Sequence, residues 1–181
     1  EEVFSIFVQY AYGPTTIVIP IHSDANLISY SAIPEDNSIQ NVLSDLGDNV
    51  LSIITESSAS AFNPNFGWVG NLNVIQPQRG YWLVAAGDEV IEQDSIIYYD
   101  IENAIPTPQN LEYVIHEDAN LISYIGVDGV AIADALPDHI QENVHNIIGE
   151  GVAAAWNPNF GWVGSLNAFY RNEGYWLINN S

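Results

Sequence analysis

The chain has 181 residues, 48% of them hydrophobic, and carries a formal net charge of −21 because 23 acidic residues face only two arginines. A field of that sign repels phosphate backbones and anionic lipid surfaces, so we expect neither a nucleic-acid partner nor a membrane partner. Neither Cys nor Met occurs, which excludes disulfides, Cys-based metal sites and thiol nucleophiles.

The first predicted elements are strands. Residues 5–10 form a β-rich run that ends near Gly13, and residues 16–21 follow as a second strand. Pro20 lies inside that second run, which favours an edge position or a strand end. Residues 27–30 come next, as a short buried strand after a turn.

The hydrophobic period then changes. Ile39, Val42, Leu43 and Leu46 fall at i, i+3, i+4 and i+7, which predicts one helix of about two to three turns over residues 39–46. Strands over residues 50–54 and 59–62 enclose a hairpin turn at Glu56. Two further turns, at residues 63–67 and 77–80, precede strands that begin at residues 68 and 81.

The remainder of the chain repeats this pattern at an offset of 94 residues. Residues 22–84 and 116–178 are identical at 29 of 63 positions without a gap. The longest identical stretch is the octapeptide Asn-Pro-Asn-Phe-Gly-Trp-Val-Gly, at residues 63–70 and 157–164. The chain is therefore interpreted as an internal duplication of a unit of roughly 90 residues.

The residue pattern of the second copy predicts the same elements in the same order. Strands are expected over residues 95–99, 111–115, 144–148 and 152–156, with a hairpin turn at residues 149–151. A helix over residues 130–136 should end near Leu136, because Pro137 interrupts it, and a turn or second short helical piece should follow. Residues 85–94 form the expected linker.

These elements predict an α+β chain of two domains, repeat unit 1 at residues 1–88 and repeat unit 2 at residues 89–181. Each unit is expected to be a small antiparallel β-barrel or half-barrel with one short helix. We expect the two halves to superpose as separate copies of one fold, with the helix over residues 39–46 matching that over residues 130–136. The alternative that they exchange an N-terminal strand stays open.

Short motifs in fixed order carry a family resemblance. They are Asn-Leu-Ile-Ser-Tyr at residues 26–30 and 120–124, Trp-Val-Gly in the octapeptide, and Gly-Tyr-Trp-Leu at residues 80–83 and 174–177. This arrangement resembles a repeat of secreted, cell-surface and phage structural proteins of marine microbes. The resemblance implies an extracellular, cell-surface or virion-borne accessory module, usually one part of a longer protein, with no chemistry assigned to it.

The octapeptide offers the candidate ligand-binding residues, which are Asn65, Trp68, Asn159 and Trp162. Flat aromatic rings stack on sugar faces and Asn bonds hydroxyls, so a carbohydrate-binding module is one hypothesis. The other is that the Trp rings fill a small core. Under that second hypothesis Phe66 and Phe160, or the two Trp, pack against the Gly-Tyr-Trp strand of the same copy. Trp82 and Trp176 could also be core.

The titratable residues of the repeat include candidates for a catalytic or metal site. His22 precedes Asp24 by two positions, as His116 precedes Asp118, so each pair shares one face of a strand. One His and one Asp per copy fall short of a closed metal site. Hydrolysis by two carboxylates would use Glu56 or Glu150 with these Asp residues, but solvated surface acids are the better interpretation.

The prediction is therefore a non-enzymatic tandem-repeat module for adhesion, display or structural spacing, without metal or cofactor. Its partner would be a surface glycan or another protein of a larger assembly, and its oligomeric state stays open. Carbohydrate binding and a small hydrolase are the alternatives. Because the chain lacks Met, Glu1 is either a processed start, after removal of a signal peptide, or an engineered one.

Overall fold

Strands dominate the computed structural model, which describes residues 2–5, 13–86, 96–108 and 111–179. The first half contains β1 Glu2–Ser5, β2 Thr15–Ile21, β3 Ala25–Ile28, β4 Ala32–Ile33, β5 Val50–Thr55, β6 Ser58–Asn63, β7 Gly67–Gly70 and β8 Tyr81–Ala85. The second half contains β9 Ile97–Pro106, β10 Glu112–Ile115, β11 Ala119–Ser123, β12 Val130–Ala131, β13 Val144–Ile148, β14 Ala153–Asn157, β15 Gly161–Gly164, β16 Ala168–Phe169 and β17 Gly174–Asn179. Most of the predicted strand over residues 5–10, and the unit boundary after residue 88, lie outside the described residues.

The helices are shorter than the sequence predicts. A single helix over residues 39–46 is wrong, since α1 covers Ile39–Val42 and a separate 3-10 helix covers Ser44–Asn49. The hydroxyl of Ser44 donates to the carbonyl of Asn41 at 2.8 Å, the acceptor that a continuing α-helix would use. None of the helices among the described residues has the length and apolar character needed to cross a membrane.

The second helical region follows the sequence prediction at its C-terminal end only, since residues 130 and 131 of the predicted helix form strand β12. Helix α2 covers Ile132–Ala135 and is capped at Leu136, where the backbone turns extended ahead of Pro137. A second piece, α3, follows over Asp138–Gln141. Proline disfavours a helical conformation in the residue before it, which explains the break.

Two five-stranded antiparallel sheets form the body of the molecule. Their strand orders are β3-β8-β5-β6-β7 and β11-β17-β13-β14-β15. Their registers correspond at the sequence offset: Asn26 pairs with Leu83, as Asn120 pairs with Leu177. Both sheets also shift register at the same place, between residues 50 and 52 and between residues 144 and 146.

Strands near the start of each half cross to the other half. β1 pairs with β10, and β9 pairs with both β2 and β4. The N-terminal strands are thus exchanged, which was the open alternative. β2 lies at the edge of the three-stranded sheet β2-β9-β4, so Pro20 occupies the edge position that its missing N–H favours.

The exchange also brings residues of the second half into the first hydrophobic core. The first core cluster surrounds Ile53 and Leu83 of the first half, but it includes Tyr99, Ile101 and Ala104 of β9. The Tyr99 hydroxyl donates to the carbonyl of Val42 in α1. The second cluster gathers around Ile147 and similarly buried residues of the second half.

The described strands form five separate antiparallel sheets, and none of these closes into a barrel. The observed class is therefore a β-rich fold with a few short helices.

Candidate functional site

The two His-x-Asp-Ala-Asn motifs form matching turns. The side-chain oxygen of Asn26 accepts from the backbone N–H of His22 at 2.9 Å, and its amide nitrogen donates to the His22 carbonyl at 2.9 Å. Asn120 makes the same two bonds with His116, at 2.8 and 2.9 Å. In both turns the intervening Asp is left-handed, with φ of 69° and 71°. The Asn side chain therefore builds the turn that positions the imidazole.

Each imidazole meets a glutamate from the hairpin turn of the other half. His22 Nε2 contacts Glu150 Oε1, and the other oxygen of Glu150 accepts from the backbone N–H of Leu27 at 2.6 Å. The reciprocal contact joins His116 Nε2 to Glu56 Oε1 at 2.5 Å, while Glu56 Oε2 accepts from the N–H of Leu121 at 3.2 Å. We call these two contacts the His–Glu pairs.

The surroundings of the imidazoles favour the protonated form. The Nδ1 atom of His22 faces the carbonyl of Ser23 at 2.6 Å, so both ring nitrogens point at acceptors. Burial alone would lower the pKa of His22, but the bond to Glu150 and the Ser23 carbonyl outweigh it and the pKa is raised. The pKa of His116 is raised first by the carbonyl of Glu117 and then by Glu56.

Backbone contacts flank the His–Glu pairs and join the same two halves. The N–H of Ser29 donates to the carbonyl of Asn172 at 2.7 Å, and the N–H of Ser123 donates to that of Gln78 at 3.1 Å. Two glycines allow this approach, because a Cβ on Gly80 or Gly174 would lie 2.7 or 2.8 Å from a carbonyl oxygen of the other half. The motif residues therefore sit at a seam between the halves.

Each His–Glu pair also lines a cleft, of about 380 Å³ at Glu150 and about 360 Å³ at Glu56. The clefts differ in where their charged groups lie, because Arg79 lines one cleft at the position that Glu173 occupies in the other, and the second cleft is lined by Arg171 instead. Burial raises the pKa of Glu173, whose carboxylate accepts from the Tyr175 hydroxyl at 2.7 Å. The charged groups around the two His–Glu pairs are therefore arranged differently.

The structure separates the candidate ligand-binding residues of the octapeptide. Asn65 and Asn159 are exposed at the turn, whereas Trp68 and Trp162 are half-buried and pack against the two core clusters. The Trp162 indole N–H donates to the side-chain oxygen of Gln141 at 3.0 Å. These two Trp therefore belong largely to the fold.

The phenylalanines of the same octapeptide behave differently. The prediction that Phe66 and Phe160 pack against the Gly-Tyr-Trp strand is wrong, since they are 82% and 80% exposed, whereas the two Trp lie against the core clusters. In the Tyr-Trp pairs the Tyr is buried, and Trp82 and Trp176 are half-buried on the other face.

Sequence reasoning did not pair the histidines with the glutamates. Glu56 and Glu150 were expected to act with Asp residues or to be solvated, whereas each contacts a histidine of the other half. The signal was present: both residue types recur at the 94-residue offset. Among the described residues no group of three or more His, Asp or Glu side chains could hold a metal ion.

Comparison with known proteins finds no matching family model, no matching curated protein and no matching solved structure. The function must therefore be argued from the geometry of the chain.

Proposed function

We propose that this chain is a non-enzymatic tandem-repeat module that serves adhesion, display or structural spacing at an extracellular, cell or virion surface. In this proposal the module is one folded body made of two duplicated α+β half-barrel units that exchange their N-terminal strands. The observation that carries it is the reciprocal use of both His–Glu pairs as contacts between the halves.

The bonding of the glutamates supports a structural role. Each carboxylate of the pairs already accepts from an imidazole through one oxygen and from a backbone N–H through the other. A general base needs a carboxylate directed at a substrate proton. Here the same oxygens join two strands and a turn.

The difference between the two clefts supports the same conclusion. A duplicated enzyme unit would be expected to carry its catalytic set twice. The cleft at Glu56 carries Arg79 at the position where the cleft at Glu150 carries Glu173, and the second cleft has its arginine at Arg171 instead, so the charged groups that would face a transition state are placed differently in the two copies.

The test is the double variant Glu56→Gln/Glu150→Gln, melted between pH 5.5 and 8.5. The amide keeps an acceptor for the backbone N–H but loses the charge that attracts the imidazolium. Both pairs are partly exposed, so the loss should be about 1 kcal/mol in total, or roughly 2–4 °C in Tm, at low pH.

The sign of the pH dependence follows from the raised pKa values. A histidine whose folded pKa exceeds its ordinary value near 6.5 contributes its full stabilisation below that value. The contribution is lost as pH rises through the higher, folded pKa. The difference in Tm between wild type and variant should therefore shrink as pH rises from 6 toward 8.5.

Charge removal itself needs a control, since the variant loses two negative charges from a highly acidic chain. Glu35→Gln/Glu142→Gln removes the same charge at two exposed positions outside the pairs. That variant should melt at or above the wild-type temperature at every pH. A Glu56→Gln/Glu150→Gln variant that melts at or above wild type at low pH would contradict the structural role, because catalytic residues often lower stability.

A further inference from the structure

The hairpins that carry the octapeptides lack charge. No Asp, Glu, Lys, Arg or His occurs at residues 57–78 or 151–170, in a chain of net charge −21. The two segments contain β6 with β7 and β14 with β15, and each hairpin forms one edge of its five-stranded sheet. Each sheet thus presents an uncharged edge on an otherwise acidic protein.

Each hairpin exposes large apolar side chains as well as lacking charge. Besides Phe66 and Phe160 at the turns, the strands β7 and β15 expose Val69 and Val163, at 55% and 52%. A large hydrophobic side chain that stays exposed does not stabilise the fold by burial. Exposed apolar clusters commonly mark binding surfaces.

The fold explains the asparagine and the glycine at the two ends of the octapeptide. The Asn63 side chain accepts from the N–H of Asn65 at 2.9 Å, and Asn157 does the same for Asn159. A Cβ at Gly70 would lie 2.2 Å from the carbonyl oxygen of Ala59, which requires glycine there.

The phenylalanines have no such structural reason. Neighbouring positions differ between the halves: Trp156 is the equivalent of Phe62, and Ser165 is the equivalent of Asn71. Phe66 and Phe160 are nevertheless identical while their side chains lie in solvent. A role outside folding accounts for both facts.

The charge pattern selects the chemistry of the ligand. A polyanion would be repelled by the whole chain, and a basic protein would find no counter-charge on these hairpins. A neutral sugar chain offers apolar C–H faces for an aromatic ring and hydroxyls for the exposed amides of Asn65 and Asn159.

We infer that Phe66 and Phe160 are the stacking residues of two binding sites for a neutral polysaccharide. Trp68 and Trp162 then support the hairpin from behind. Two equivalent sites on one body allow both to engage one polymer, which raises the apparent affinity through effective concentration. This inference rests on the proposed surface-module function and names its ligand class.

Affinity electrophoresis on native gels tests the inference with named probes. The gels contain a neutral galactan, a β-1,3-glucan, a galactomannan or hydroxyethylcellulose, with alginate as the anionic comparison. The chain should be retarded in at least one neutral gel and not in alginate. Phe66→Ala/Phe160→Ala should restore the mobility seen without polysaccharide, and each single variant should weaken binding on the order of tenfold or more.

Two matched variants test whether the aromatic rings of the hairpins are required for retardation. Tyr98→Ala removes another exposed aromatic ring, 71% accessible and outside the hairpins, and should leave retardation unchanged. Phe66→Leu/Phe160→Leu keeps a hydrophobic side chain but removes the ring, so stacking predicts lost retardation. The inference is overturned if no neutral gel retards the wild type, or if the alanine or leucine variant stays retarded.

Failure of this inference is separable from failure of the proposed function. The same mixtures are assayed for newly released reducing ends. Release would contradict the non-enzymatic function, whatever the gels show. Absence of both release and retardation would overturn the sugar-binding inference alone.

Discussion

At the scale of single residues, two aromatic side chains of the same octapeptide differ in burial. The ring of Trp162 packs edge-on against Trp156, with centroids 5.4 Å apart and planes at 63°. Its indole N–H also satisfies Gln141, a residue that is only 6% exposed. Phe160, two positions earlier, is exposed to solvent.

This contrast gives a prediction for two alanine variants. Trp162→Ala removes half-buried ring area and leaves the buried oxygen of Gln141 without its donor, so it should cost about 2–4 kcal/mol. Phe160→Ala should stay within about 0.5 kcal/mol, as exposed substitutions do. Urea unfolding of both variants provides the measurement. A Trp162→Ala loss as small as that of Phe160→Ala would make Trp162 a ligand platform rather than a structural residue.

At the scale of elements, local patterns predicted most of the strands. The alternation in residues 111–115 and the Pro137 break act over a few neighbours, and sequence carries such signals directly. The length of α1 did not follow, because Ile39, Val42, Leu43 and Leu46 suit a short helix followed by a 3-10 turn equally well. Side-chain bonds such as that of Ser44 decided between them.

Local sequence patterns could not predict which distant elements pair with each other. The residues at positions 95–99 predict a strand, but nothing in their own sequence specifies β2 and β4 as the partners of that strand. The His–Glu pairs have the same origin, since His22 and Glu150 meet only when the halves pack together. The exposure of Phe66 likewise depends on which face of the hairpin the sheet covers.

The exchanged strands lead to a prediction about a cut chain. A protease site substituted at residues 89–92 and cleaved should leave two fragments that elute together at the size of the intact 19.9 kDa chain. The reason is that β9 fills the core of the first half, while β1 pairs with β10. The unfolding midpoint of the cut protein should then depend on concentration.

Neighbouring tyrosines of β9 provide the control for this experiment. Tyr99 is 2% exposed within the first core and Tyr98 is 71% exposed. Tyr99→Ala should weaken association of the fragments strongly, and Tyr98→Ala should not. Separate elution of the wild-type fragments would show that the exchange does not hold the halves together.

At the scale of the whole molecule, two electrostatic effects act in opposite directions. The His–Glu pairs attract and are weakened by salt, whereas the net charge of −21 repels itself and is screened by salt. There are only two His–Glu pairs, and both are partly exposed. Each contributes at most about 1 kcal/mol to the free energy of unfolding. Repulsion acts among all the acidic side chains, so it should dominate.

Tm should therefore rise with NaCl, most steeply where the Debye length falls from about 30 Å at 0.01 M to about 8 Å at 0.15 M. Above about 1 M, where the length is about 3 Å, little repulsion is left to screen and the rise should flatten. Scanning calorimetry across this range gives the curve. KCl at equal ionic strength should reproduce it, because screening depends on charge and not on the ion. A Tm that falls with NaCl would mean that the attractive pairs outweigh the repulsion, and a rise confined to millimolar CaCl₂ would mean a bound cation instead.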